Sequence, residues 1–277
     1  MLIDVTPPRS YLFVPGNRPD RFAKAYASGA DAVIVDLEDA VPAAEKVDAR
    51  AHSARWLSAD HPVFIRVNAA ATEWFREDLA LCAQAGVAGI VLPKAERVED
   101  IVAIGKPVLP LIETARGFAN ATALAQAPNT ARLLFGSIDF QVDLGIHGEG
   151  EELLYFRSQL VLISRLAGLP APVDGITTVF QSPDAVRADS RRAWRLGFGG
   201  KLCIHPAQIA AIHESFAATP EEAAWAKRVV EALTKAGGAA VSVDGEMIDR
   251  PVAARALEIL KQLGEPHGRG GVAPESD

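Results

Sequence analysis

Eight times along this chain, a short run of aliphatic and β-branched residues is followed by a segment whose apolar residues recur at helical spacing. Such alternation points to repeated β-α units feeding one parallel sheet, because each strand must be returned to the same edge by a crossover helix. The strand-like runs fall at 11–15, 32–38, 63–68, 89–94, 108–113, 132–139, 173–177 and 201–205. Helix-like segments lie at 20–28, 43–57, 74–85, 98–104, 120–125, 151–167, 184–196 and 207–216. Eight parallel strands can close on themselves, and 277 residues is near the size usual for that closed form. The expected fold class is therefore α/β, a (β/α)8 TIM barrel. Gly29, Gly86, Gly168 and Gly197 each follow a helical segment, where a positive φ commonly stops a helix.

After the eighth unit the pattern changes. A helix is expected over 220–236, a hairpin-like extended segment over 239–248 and a last helix over 251–263, followed by a tail rich in Gly, Pro and charge. This divides the chain into a barrel catalytic domain (1–217), a C-terminal helical and hairpin extension (218–263) and a tail expected to be disordered (264–277). A formal charge of -7 and the lack of any basic stripe argue against nucleic acid or an anionic membrane surface as partner. The two cysteines, Cys82 and Cys203, lack metal-ligand spacing, and no run approaches the roughly 20 apolar residues that span a bilayer. A soluble, cytoplasmic protein is the expectation.

In a barrel of this kind, polar groups that close apolar strands converge on one rim and carry the chemistry. The second strand runs into Asp36-Leu37-Glu38-Asp39, the third carries Arg66 and Asn68, and the fourth, fifth and sixth run to Lys94, Glu113 and Asp139. Glu113 and Asp139 follow strongly apolar runs, where an unpaired carboxylate is costly and a hard divalent cation would offset that cost. Pairing with Arg116 or Arg132, or capping of the next helix, explains the same spacing equally well. Arg66 suits a bidentate grip on a carboxylate or a carbonyl oxygen, with a salt bridge to Glu38 or Asp39 as the plainer reading. Lys94 balances the nearby acids better than it serves as an imine-forming amine. His205, in Cys203-Ile204-His205-Pro206, is read as structural. Gly16, Gly136 and Gly145 form neither a Walker loop nor a dinucleotide fingerprint.

Nine ordered motifs make the resemblance specific. They are Tyr11-Leu12-Phe13-Val14-Pro15-Gly16-Asn17, Asp36-Leu37-Glu38-Asp39-Ala40-Val41, Arg66-Val67-Asn68, Leu92-Pro93-Lys94, Glu113-Thr114-Ala115-Arg116-Gly117, Gly136-Ser137-Ile138-Asp139-Phe140, Gly197-Phe198-Gly199-Gly200-Lys201, Cys203-Ile204-His205-Pro206-Ala207-Gln208-Ile209 and Gly245-Glu246-Met247-Ile248-Asp249. Over about residues 9–263 the chain resembles the citrate lyase beta-subunit-like branch of the HpcH/HpaI aldolase family. The resemblance implies Mg2+, with Mn2+ as a substitute, on Glu113 and Asp139. It also implies a substrate carboxyl or carbonyl on Arg66, and Glu38 and Asp39 around the metal's water shell. In similar lyases the acid of the post-barrel segment acts in a neighbouring subunit's site, which makes Asp249 the general acid/base. From the residues alone Asp249 reads as a helix N-cap ahead of Pro251. Phe13 and Lys24 match positions that touch coenzyme A in relatives, although a lone lysine on a first helix is ordinarily just solvated. The segment Thr177-Thr178-Val179-Phe180-Gln181 lacks an acid that several relatives carry there.

The implied function is a Mg2+-dependent carbon–carbon lyase acting on a 3-hydroxyacyl-CoA such as malyl-, citramalyl- or citryl-CoA. Its small-molecule partners would be a 2-oxo acid and an acyl-CoA, with coenzyme A as part of the substrate. The implied assembly is a homotrimer or a dimer of trimers. A malate-type synthase or malyl-CoA thioesterase on the same site is the alternative enzyme. A protein that binds 2-oxo acids or acyl-CoA without turnover is the alternative from another class.

Overall fold

The computed structural model describes residues 7–236 and 241–264. Eight parallel strands form a closed barrel in chain order: β1 (Ser10–Pro15), β2 (Ala32–Asp36), β3 (Val63–Arg66), β4 (Val87–Leu92), β5 (Val108–Ile112), β6 (Leu134–Phe135), β7 (Val173–Asp174) and β8 (Gly200–Cys203). The seam is β1 on β8, with Ser10 opposite Lys201 and Leu12 opposite Cys203. Around the barrel run α1 (Phe22–Tyr26), α2 (Lys46–Trp56), α3 (Phe75–Cys82), α4 (Val98–Val102), α5 (Ala115–Ala119), α6 (Ala121–Ala125), α7 (Ser137–Leu144), α8 (Leu154–Leu166), α9 (Pro183–Leu196) and α10 (Ile209–Phe216).

Strand side chains alternate between two buried layers, as a two-residue period demands when both faces are covered. Tyr11, Ile34, Phe64, Val91, Leu109, Leu111, Leu134, Val173 and Leu202 form one cluster that fills the barrel. Val33, Val35, Ile65, Ile90, Ile112, Phe135 and Cys203 belong to a second cluster, between strands and helices. Arg132 ties the barrel floor: Nη1 donates to Pro8 O at 2.7 Å and Tyr11 Oη at 3.1 Å, and Nε to Ala171 O at 2.7 Å. All four helix-stopping glycines have positive φ, from 72° at Gly168 to 98° at Gly197.

The sixth unit departs from expectation. The strand does not reach Asp139; it stops at Phe135, and α7, a helix not anticipated from the sequence, starts at Ser137. Gly136 breaks the extended run, and Phe140 then needs helical spacing to bury its ring against Phe135, Phe118 and Phe156. Likewise the helix expected at 120–125 is preceded by α5, so that two short helices follow β5. Phe140 is fully buried, and Phe140→Ala is expected to lower stability by about 3–5 kcal/mol in a urea titration.

Beyond the barrel, α11 (Pro220–Lys235), the hairpin β9 (Val241–Val243) and β10 (Glu246–Ile248), and α12 (Arg250–Gly264) gather around their own apolar cluster, Ala226, Val229, Ile248, Ala256 and Ile259. Asp244 and Gly245, at φ 53° and 86°, make the two-residue turn that suits a hairpin. Thr219 and Glu222 form a capping box at the start of α11, and Glu222 also pairs with Arg191 of α9 at 2.9 Å. Gly264, expected to open the tail, instead closes α12; residues 237–240 and 265–277, which include the rest of the expected tail, lie outside the described residues.

Candidate active site

Three strands aim a charged group into the top of the barrel because each is two residues past an interior side chain: Asp36 follows Ile34, Arg66 follows Phe64 and Glu113 follows Leu111. Asp36 and Arg66 are in register on neighbouring strands. Arg66 Nε donates to Asp36 Oδ1 at 2.7 Å and Nη2 to Oδ2 at 2.6 Å, a bidentate pair. The same carboxylate accepts the backbone N–H groups of Glu38 at 2.9 Å and Ala40 at 3.1 Å, folding the acidic run into a turn. Carbonyls on that turn are met by the buried Lys46, whose Nζ donates to Leu37 O at 2.8 Å and Glu38 O at 2.7 Å, 5.2 Å from the Trp74 ring. Burial pushes the Lys46 ammonium below its usual value against the pull of Asp36 and Glu38.

Glu38 points from this turn toward both cations of the rim. Its Oε1 accepts from Lys94 Nζ at 2.6 Å, and its Oε2 lies 3.1 Å from Arg66 Nη1, with Asp39 Oδ2 3.7 Å from the same nitrogen. The Arg66 guanidinium also lies over the Phe13 ring at 4.8 Å. Burial disfavours the Arg66 charge, but Asp36 and Glu38 outweigh it. Lys94 adopts a left-handed backbone, φ 46°, which directs its N–H onto Glu113 Oε1 at 2.7 Å. Burial works against the Lys94 charge, yet Glu38 raises its pKa above the usual value, so it stays an ammonium, as the charge-balancing reading expects.

The other oxygen of Glu113, Oε2, is buried without a hydrogen-bond partner. Burial first, then the charges of Glu38 and Asp139, pushes Glu113 up to about 8. Asp139 sits on the first turn of α7, on a helix instead of a strand end, near enough for its charge to act on Glu113. Neither arginine that competed for these acids takes them: Arg132 is bound to the barrel floor, and Arg116 lies 3.6 Å from Glu96. An orphaned, buried carboxylate oxygen with a second carboxylate beside it and surplus negative charge is a donor set that fits Mg2+, which takes one or two carboxylates and completes its shell with water and substrate. Among the described residues no group of three or more His, Cys, Asp or Glu is placed to hold a metal ion.

The remaining expected residues are less convergent. Lys24 is exposed on α1 and makes none of the contacts that define the rim. Asp249 Oδ1 accepts from Val252 N at 3.3 Å, so within one chain it caps α12. His205 stacks on Phe180 at 4.9 Å and accepts from Ala207 N, a structural role. Sequence reasoning placed Asp36 on the rim but missed its pairing with Arg66, and it missed Lys46. Inward phase, two residues past Ile34, marks Asp36 as facing the barrel interior, but only the β2–β3 register brings it to Arg66. Asp36→Asn leaves a buried guanidinium short of its main counter-ion, and a loss of about 3–5 kcal/mol in denaturant unfolding at pH 7 is expected.

Against known proteins, residues 9–206 match the family model described as HpcH/HpaI aldolase/citrate lyase. The chain belongs to the HpcH/HpaI aldolase/citrate lyase family. A citrate lyase subunit beta-like protein of Deinococcus radiodurans is 39% identical over 91% of this chain and 96% of its own length. A (3S)-malyl-CoA thioesterase of Cereibacter sphaeroides is 35% identical over 88% and 90% respectively. The crystal structure of CitE from Mycobacterium tuberculosis with magnesium, acetoacetate and coenzyme A superposes with a TM-score of 0.86 at 32% identity, covering 93% of this chain and 98% of that one. A citrate lyase beta subunit from the same organism, complexed with oxaloacetate and magnesium, matches with a TM-score of 0.69 at 31% identity over 75% and 96%. Membership of this family makes the protein a lyase of the citrate lyase beta-subunit-like kind. Among the described residues no helix is long and apolar enough to cross a membrane.

Proposed function

We propose that this family member is a Mg2+-dependent carbon–carbon lyase that reversibly cleaves a 3-hydroxyacyl-CoA, of the malyl-, citramalyl- or citryl-CoA type, into an acyl-CoA and a 2-oxo acid. The observation that carries the proposal is the buried, partnerless Glu113 Oε2 beside Asp139. Glu113 and Asp139 would hold the ion. When bound, Mg2+ supplies Lewis acidity to the carboxylate and carbonyl oxygens of a 2-oxo acid. Relatives with magnesium and either oxaloacetate, or acetoacetate and coenzyme A, support both the metal and the thioester.

The chain's own groups divide the remaining work. Arg66 is locked by Asp36 on Nε and Nη2, and its Nη1, which lies 3.1 Å from Glu38 Oε2, would offer its second N–H to the substrate carboxylate, so the grip is oriented before substrate arrives. Glu38 and Asp39 hold Arg66, Lys94 keeps Glu38 in place, and the two acids would accept hydrogen bonds from water around a bound ion. Phe13 backs the guanidinium and offers an apolar wall toward the thioester, with Lys24 available to the coenzyme A phosphates at the surface. In the cleavage direction Asp249 of a neighbouring subunit would take the hydroxyl proton as the carbon–carbon bond breaks, and would return it to the carbon of the acyl enolate. The unit 218–263 would serve as its carrier and the barrel 1–217 would bear the metal pair, in an oligomer that we take to be a trimer or a dimer of trimers. The setting is the cytoplasm.

A panel of malyl-, citramalyl- and citryl-CoA tests this, with the 2-oxo acid trapped as a hydrazone and free thiol measured in parallel. A 2-oxo acid appearing only with Mg2+, without free thiol, is the expected result. Free coenzyme A beside an intact hydroxy acid would replace the lyase reading by thioester hydrolysis, a second reading that the Cereibacter sphaeroides relative favours.

A further inference from the structure

The two acids of the metal pair come from different places, the residue directly after β5 and the first turn of α7, so their separation depends on how deeply the start of α7 is seated. Two glycines set that depth. At Gly136 an added Cβ would lie 2.5 Å from both Cβ and Oε2 of Glu113, so the chain passes directly against the metal-binding acid. Gly175, just beyond β7, does the same one layer further out: an added Cβ would overlap the Ser137 side chain and lie 3.1 Å from Phe135 O. Gly175 is not among the glycines with positive φ, so its lack of a side chain answers a need for space and not for a left-handed backbone.

Behind Gly175 lies a set of buried charges that nothing in the proposed reaction uses. Lys201 Nζ donates to Gly175 O at 2.7 Å and lies 2.6 Å from Asp189 Oδ2 and 3.6 Å from Asp174 Oδ2. Asp174, beside Gly175 in the chain and in register with Lys201, accepts from Arg157 Nε at 2.9 Å. Arg157 then reaches past the far end of α7, where Nη1 donates to Glu149 O at 2.7 Å, and Gln141 of α7 donates to Gly148 O at 2.9 Å in the same loop. Lys201, Asp174 and Arg157 are all nearly inaccessible to solvent. Held by charge-assisted bonds on strands and helices, Gly175 is a fixed stop for Ser137, and the loop after α7 is fastened to the same anchor.

We propose that Gly175, fixed by the Lys201–Asp174–Arg157 network, is a positioning residue for the metal pair: by admitting Ser137 it sets the seat of α7 and hence the place of Asp139 relative to Glu113. This rests on the metal reading of that pair. Gly175→Ala pushes Ser137 and the first turn of α7 away, so Asp139 moves while Glu113, directly after β5, stays. Outer-sphere changes of this kind commonly cost about 10–100-fold in metal affinity.

Mn2+ binding to the substrate-free protein, followed by electron paramagnetic resonance of the free ion, reads this without turnover. Gly175→Ala is expected to weaken Mn2+ binding at least tenfold, and Gly175→Ala combined with Ser137→Gly, which removes the obstructed side chain, to recover most of it. Circular dichroism melts accompany each titration. If the single variant does not fold, recovery of both fold and Mn2+ affinity in the double variant still supports the proposal. A single variant that binds as the parent does overturns it. So does a double variant that stays unfolded or unable to bind, because the collision with Ser137 is then not what Gly175 avoids. A parent protein that fails to bind Mn2+ would instead strike down the metal reading.

Discussion

Glu113→Gln is expected to abolish Mg2+-dependent turnover while making the metal-free protein more stable at alkaline pH. Burial, Glu38 and Asp139 push the Glu113 carboxyl from 4.5 up to about 8. Between those values the unfolded chain has already released a proton that the folded protein still holds. Stability of the metal-free protein therefore falls as pH rises through that window, is unaffected below it, and has lost a few kcal/mol once pH exceeds 8. Gln cannot ionise, so the variant lacks this loss. Mg2+ needs the ionised acid, so binding to the parent expels the proton, and affinity climbs about tenfold per pH unit up to about 8. Thermal melts at pH 6 and pH 8.5, with and without Mg2+, separate the cases. The parent should gain more from Mg2+ at the higher pH, and the variant should gain almost nothing at either. An unchanged Mg2+ shift in Glu113→Gln removes Glu113 from the metal site.

Asp249→Asn has the other large effect. Turnover should fall by about 10²–10⁴-fold, the range for a lost acid–base group, with the Mg2+ shift in melting temperature and the affinity for a 2-oxo acid intact. Within one chain Asp249 only caps α12, and Asn is an equally good cap, so stability should hardly change. Mixing resolves whether the acid crosses a subunit boundary. Protomers carrying Glu113→Gln lack the metal but keep Asp249, and those carrying Asp249→Asn are the reverse. Co-refolded assemblies regain activity only if an intact Asp249 can reach an intact metal pair on another chain. Full activity of Asp249→Asn alone ends its role as acid or base.

Much of this was readable in the residues. Eight apolar runs at β-α spacing give the closed barrel, and polar residues at the ends of those runs give the rim with Arg66, Glu113 and Glu38. The sixth unit was not readable because Leu133-Leu134-Phe135-Gly136-Ser137-Ile138-Asp139 suits a long strand as well as a short strand and a helix. What decides between them is tertiary: a side chain at Gly136 would strike Glu113, and Phe140 finds its aromatic neighbours only from a helix. The supports of the rim were hidden for a related reason. Asp36 meets Arg66 across a strand pair, and Lys46 meets backbone carbonyls 8 and 9 positions away, partnerships that spacing along a chain does not announce.

The β1–β8 seam sets an order of events during synthesis. Ser10 cannot find Lys201 until nearly three quarters of the chain exists, and at about 5–20 residues per second that takes on the order of 10–40 s. For that interval β1 can pair with β2 on one side while its other edge stays bare, a ready template for strands of neighbouring nascent chains. The last barrel strand to be made is thus also the one that shields the first, so translation speed and crowding on the polysome bear on the yield of folded enzyme before any question of its final stability arises.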